Sequence, residues 1–79
     1  MKEFLAYIVK NLVDKPEEVK IKEVEGSQTI IFELSVDQAD IGKIIGKEGR
    51  TIKAIRSLLM TVANRNNLRV NLEIIEDHK

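Results

Sequence analysis

In the stretch Ile44-Ile45-Gly46-Lys47-Glu48-Gly49-Arg50-Thr51-Ile52, two glycines frame a charged dipeptide between an apolar pair and the basic start of an amphipathic run. Neither glycine carries a Cβ, so the chain can turn sharply here and a bulky ligand can come close to the peptide groups. A loop that opens directly into a helix aims its first amide groups, and the positive end of the helix dipole, at an arriving anion. The stretch therefore predicts a helix-loop-helix junction suited to the sugar-phosphate backbone of an unpaired nucleic acid strand.

On its C-terminal side, residues 50 to 66 place Ile52, Ile55, Leu59, Val62 and Ala63 on one stripe, with Leu58 at the margin, and predict the longest helix of the chain. Arg50, Lys53 and Ser57 fall elsewhere on that wheel. Asn66-Asn67 can act as a left-handed stop, after which Val70, Leu72 and Ile74 alternate in a last strand before the charged tail Glu76 to Lys79. On the N-terminal side, Asp37 suits an N-cap and Asp40 a first helical turn, opening a short helix to about Ile45 that buries Ile41, Ile44 and Ile45. Ahead of it, Ile30, Phe32, Leu34 and Val36 alternate with Thr29, Ile31, Glu33 and Ser35 in a strand from Gln28 onward. Gly26-Ser27 predicts a type II′ hairpin. Val19, Ile21 and Val24 predict the partner strand, and their shift from odd to even positions a bulge or fraying end near Glu23.

Residues 2 to 13 put Phe4, Leu5, Ile8, Val9 and Leu12 at helical spacing; Pro16 ends that helix, leaving a polar connection from Asp14 to Glu18. The order is α-β-β-α-α-β, an α+β fold in which helices cover one face of a three-stranded mixed sheet. A right-handed crossover follows if the last strand returns parallel to the second.

With 79 residues the chain has room for one domain, expected to span 1–79 with residues 76–79 frayed. Zero cysteines removes disulfides and thiolate metal sites, and no metal-ligating set or cofactor motif is present. There is no signal-peptide pattern and no apolar run long enough to span a bilayer, so a soluble, cytoplasmic protein without a membrane partner is expected. Thirteen basic and thirteen acidic side chains give a formal charge of zero, yet Lys43, Lys47, Arg50, Lys53 and Arg56 face one acid, Glu48, between residues 43 and 56, a local charge of +4. Such a patch on a neutral protein docks anions at short range and engages only a few phosphates.

An enzyme is not expected, nor a small-molecule substrate. His78 is the one histidine and sits in the tail, while Glu17-Glu18 and Glu76-Asp77 are pairs in a connection and a tail, where solvation prevails over shared-proton chemistry. Gly46-Lys47 is followed by Glu48 rather than Ser or Thr, and position 41 is Ile, so a P-loop fails.

The nine-residue string in this setting resembles the GXXG core of a KH domain, of type II by its element order. The stretches Leu12-Val13-Asp14-Lys15-Pro16-Glu17, Asp40-Ile41-Gly42-Lys43 and Ala54-Ile55-Arg56-Ser57-Leu58-Leu59 are similar to those of small stand-alone bacterial KH proteins of the KhpA type. The resemblance implies that about four nucleotides of single-stranded RNA lie along a groove between the two central helices and the sheet edge. Gly46, Lys47, Glu48 and Gly49 would form the clamp, Ile41, Ile44 and Ile45 together with the central strand the apolar groove, and Lys43, Arg50, Thr51 and Lys53 the flanking contacts. Phe4, Tyr7 and Phe32 are the only aromatics, too few for a stacking platform. The resemblance further implies a homodimer, or a heterodimer with a larger KH-containing RNA-binding protein, acting in RNA metabolism as a post-transcriptional regulator or RNA chaperone and in control of cell elongation and division. Leu58 and Met60, off the main stripe, are the candidate dimer residues.

Two rival readings share these residues. Two helices joined by a glycine turn also suit a helix-turn-helix DNA binder, with Arg50, Thr51 and Lys53 on the recognition helix, although the flanking strands count against it. Alternatively, the fold is a dimerisation module whose loop, an ordinary tight turn, does not bind RNA.

Overall fold

The computed structural model describes residues 1–75 as α1 (Lys2–Leu12), β1 (Lys20–Glu25), β2 (Thr29–Ser35), α2 (Ile41–Ile45), α3 (Arg50–Arg65) and β3 (Arg69–Ile74). The expected frayed tail, with His78, lies outside the described residues. β2 is central, antiparallel to β1 and parallel to β3, in a three-stranded mixed sheet ordered β1-β2-β3. Phe32 and Leu34 of β2 meet Leu5 and Val9 of α1, Ile44 of α2, Ile52, Ile55 and Leu59 of α3 and Leu72 of β3 in one core. Each such side chain contributes roughly 1.5–3 kcal/mol by leaving water. The opposite sheet face carries Lys22, Glu33 and Glu73 in cross-strand register.

The long helix closes as its asparagines predict: Asn67 adopts a φ of 57°, and the Leu68 N–H returns to the Ala63 carbonyl at 2.9 Å. The first hairpin differs from expectation. The β1–β2 register is unbroken from Lys20↔Ser35 to Glu25↔Ile30, so there is no bulge at Glu23. Unbroken alternation puts Glu23 on the helix side and leaves Val24 outward and 42% exposed. Glu23 is tolerated there because β1 is an edge strand; a hydrogen bond with Glu25, partial burial and the Glu25 charge raise its pKa, against the pull of Lys2 and the N-terminal amine. Nor is the turn type II′, since Gly26 is not among the positive-φ residues. Ser27 and Gln28 form its tip, closed by Gly26 N–H to the Thr29 carbonyl at 2.7 Å, and the Gln28 carbonyl accepts from the Arg69 N–H at 2.8 Å. The exit of the turn is thus tied to β3.

The segment leading to the glycine loop is subdivided more finely than its sequence suggests. Asp37 caps it, accepting from the Ala39 N–H at 3.0 Å, but what it caps is a 3-10 turn over Gln38–Asp40; α2 proper has five residues. One inward position is all that so short a helix offers, and Ile44 takes it, while Ile41 is half-buried and Ile45 is 36% exposed. The α1–β1 connection is likewise structured: Val13 is extended and buried, and Pro16 starts a 3-10 turn ending at Glu18.

Asp40, which reads as an ordinary first-turn acid, is a buried carboxylate. It accepts the backbone N–H groups of Asp14 at 3.2 Å and Lys15 at 3.0 Å, with the Lys43 ammonium at 3.7 Å, so it ties the end of α1 to the start of α2. Burial alone would raise its pKa; the two N–H groups and Lys43 outweigh burial and hold the carboxyl below its ordinary value. A group with a depressed folded pKa stabilises the protein fully above its unfolded pKa, about 3.9, and that contribution is lost as pH falls through the folded value. Asp40→Asn should therefore lower the unfolding midpoint by several degrees at neutral pH and flatten the decline of the midpoint below pH ~4, as followed by circular dichroism melts across pH.

Candidate nucleic-acid interface

The junction between α2 and α3 is a single turn made by unusual backbone angles. The Gly46 N–H completes α2 by donating to the Gly42 carbonyl at 2.9 Å, and Gly46 then takes φ 77°, ψ 174°, a region open almost only to glycine. Glu48 and Gly49 follow with φ 58° and 74°, both left-handed, and the Gly49 N–H closes the turn on the Gly46 carbonyl at 3.2 Å. The two glycines are required for different reasons. A Cβ on Gly46 would stand 2.6 Å from the Thr51 Cβ and 2.9 Å from its nitrogen, whereas one on Gly49 would meet open space. Thr51, expected as a ligand contact, is half-buried against Gly46 and so shapes the turn.

Lys47 and Glu48 project into solvent between the glycines, and Gly49 has no side chain to cap the first turn of α3. The remaining predicted side chains fall into separate environments. Arg50 is exposed, with Glu48 3.5 Å away, and Lys53 is exposed one turn along α3. Lys43 is engaged: its ammonium donates to the Asp14 carboxylate and lies near Asp40, and chiefly that hydrogen bond raises its pKa. Ile45 and Gly42 lie on the exposed side of α2, and none of the described residues approaches within van der Waals distance of a Cβ built on Gly42. Ile44, expected to line the groove, is fully buried and supports the turn from beneath.

Residues beyond the expected set complete the surface. A cavity of about 310 Å3 lies between α3 and β3, lined by Arg56, Leu59 and Met60 from the helix and Val70 to Glu73 from the strand. β3 is an edge strand, and since Arg69 and Ile75 direct their N–H groups to Gln28 and Leu34 of the β2 side, the alternate residues Val70, Leu72 and Ile74 turn their peptide groups outward. The Leu72 carbonyl takes a hydrogen bond from Arg56 Nη2 at 3.2 Å. Lys53, Arg56 and Met60 share one flank of α3 at helical spacing, a signal present in the sequence, but only the packing of α3 on β3 shows what that flank faces. Met60 and Leu58 do not form one patch: two residues apart on a helix means about 200° apart. Met60 lines the cavity, and Leu58, 49% exposed, points away from it.

Among the described residues there is no cluster able to hold a metal ion and no helix long and apolar enough to cross a membrane.

The family model described as "KhpA/KhpB, KH domain" matches residues 2–74. The chain is 77% identical to the RNA-binding protein KhpA of Chlamydia pneumoniae over 98% of its own length and 99% of the relative's. It is 51% identical to RNA-binding protein KhpA of Borreliella burgdorferi, covering 94% of this chain and 90% of that protein. Among solved structures, Era of Aquifex aeolicus superposes with a TM-score of 0.58 at 20% identity; the match takes in 95% of this chain but only 30% of Era, and it speaks to the fold alone.

The backbone angles separate the two glycines experimentally. Gly49→Ala should cost about 1–2 kcal/mol, the ordinary left-handed penalty, and Gly46→Ala at least about 3 kcal/mol, because the collision with Thr51 adds to the strain; urea unfolding of both variants measures the difference.

Proposed function

Because the chain belongs to the KhpA/KhpB KH-domain family, we propose that it is a non-enzymatic, single-domain, single-stranded RNA-binding protein whose turn from Gly46 to Gly49 clamps the sugar-phosphate backbone. The observation that carries this is the turn itself: glycine angles at both ends, exposed Lys47 and Glu48 between them, and an uncapped α3 start behind them. With about four nucleotides bound, the strand runs from Gly42 and Ile45 across the turn, with Arg50 and Lys53 beside its phosphates. The bases lie towards the cavity between α3 and β3, where Val70 and Leu72 offer outward peptide groups and Arg56 a guanidinium. The names of the KhpA relatives support RNA as the ligand. A helix-turn-helix reading is disfavoured because α2, with five residues, is too short to serve as its first helix. The protein acts in the cytoplasm as a post-transcriptional regulator or RNA chaperone, including in control of cell shape and division, as a homodimer or with a larger KH-containing RNA-binding partner. Leu58 supports the dimer, since its flank of α3 is exposed and separate from the groove, so partner and RNA do not compete.

Replacing both Lys47 and Glu48 by Asp should leave the melting midpoint nearly unchanged, since both side chains are solvated and Asp tolerates the left-handed angle at position 48. RNA affinity should fall at least about tenfold, the loss of roughly 1.4 kcal/mol. For the parent, two or three neutralised phosphates give a slope of log affinity on log salt of about −1.5 to −2. In a titration with oligoribonucleotide, amide signals of residues 46 to 49 should move; if they stay still while RNA binds, the clamp is elsewhere. Leu58→Glu should convert a dimer to a monomer in sedimentation equilibrium without abolishing RNA binding.

A further inference from the structure

The cations around the turn are not equally available. Arg50 has Glu48 3.5 Å away, but both side chains are largely solvated, so that pair holds weakly. Among the described residues, Lys47 and Lys53 have no carboxylate partner. Lys43 is different, because its partner is brought from 29 residues away by a built arrangement. The buried Asp40 carboxylate grips the N–H groups of Asp14 and Lys15, and Lys15 also pairs with Asp37 at 3.7 Å. With its backbone fixed in this way, Asp14 lays its carboxylate on the Lys43 ammonium.

The two acids at Lys43 play different parts. The Asp40 side chain is 2% exposed and holds backbone, so it cannot leave; the Asp14 side chain is 78% exposed and, among the described residues, makes no other hydrogen bond, so water can replace what it loses. Lys43 lies three residues, one helical turn, before Gly46. A lysine has a flexible four-carbon stem and three donors, so its ammonium can turn from a carboxylate to a phosphate oxygen nearby.

We propose that Asp14 is an internal counter-ion for Lys43 that an RNA phosphate must displace, so that this acid sets the strength and salt dependence of binding at the clamp. The inference rests on the clamp assignment above and deepens it. The exchange breaks no covalent bond and moves no proton: the ammonium trades one oxyanion for another, and Asp14 returns to water. An exposed ion pair of this kind is worth a few-fold in an equilibrium constant, enough to weaken binding without preventing it.

The test uses a fluorescently labelled single-stranded oligoribonucleotide of mixed sequence and anisotropy titrations at several salt concentrations. Asp14→Asn should tighten binding about two- to five-fold and steepen the salt slope by up to about 0.7, the share of one phosphate on a single strand. Glu17→Gln removes an equal charge from the same connection and should change affinity little. Lys43→Met should weaken binding, and adding Asp14→Asn to it should have no further effect, as a double-mutant cycle requires of coupled groups. The proposal is overturned if Asp14→Asn matches the parent, if it does no more than Glu17→Gln, or if it still tightens binding when Lys43 is Met. The Lys47, Glu48 double variant separates the two levels. If it loses RNA while Asp14→Asn changes nothing, only the counter-ion fails; if it binds as the parent does, the clamp fails and the counter-ion with it.

Discussion

One buried carboxylate holds the architecture of this molecule in register. α2 is five residues long, far short of the length at which a helix sustains itself in water, so its position has to be imposed from outside. Ile44 fastens it from below by entering the core, and Asp40 fastens it from the side by taking two N–H groups from the chain leaving α1. An ionised group in the interior is tolerated because both oxygens find donors, and no buried side-chain polar atom among the described residues is left without a partner. The same bonds satisfy N–H groups of a connection that belongs to neither α1 nor β1. Two structural debts cancel in one place.

The exposed turn depends on that anchoring. Gly46 occupies an angle that L-residues avoid, and the Thr51 side chain fills the space where its Cβ would be, so the direction from α2 into α3 is set by contact. α3 then runs over the sheet and its Arg56 reaches the Leu72 carbonyl on the free edge of β3. The turn, the cationic flank of α3 and the outward peptide groups of β3 are thereby mounted on one body.

Much of this was legible in the residue pattern, and the misses have a common cause. Strict alternation through Ile30, Phe32 and Leu34, the stripe from Ile52 to Ala63 and the Asn66-Asn67 stop each reflect a local period, and the structure follows them. β1 went astray because Val24 is apolar yet outward and Glu23 polar yet inward, a preference overridden by the register that the hairpin imposes. Asp40 looked like a first-turn acid because its partners, Asp14 and Lys15, lie 26 and 25 residues earlier. Which of three isoleucines in α2 enters the core, and where Met60 points, are decided by neighbours that no spacing rule names. At the turn, glycine placement showed where the chain must bend; that Lys43 is already occupied, and that Arg56 meets the edge strand, required tertiary geometry.

The parallel pairing of β2 with β3 bears on how the chain is made. Every partner across that ladder, from Thr29↔Arg69 to Leu34↔Ile74, is separated by the whole of α2 and α3, whereas the hairpin partner β1 is close by in sequence. Closing so long a loop costs entropy that is repaid only once the strand arrives. During synthesis on a ribosome, Phe32 therefore keeps one side bare until Leu72 has emerged, and the nascent chain carries an unfinished sheet edge from the completion of β2 until β3 arrives.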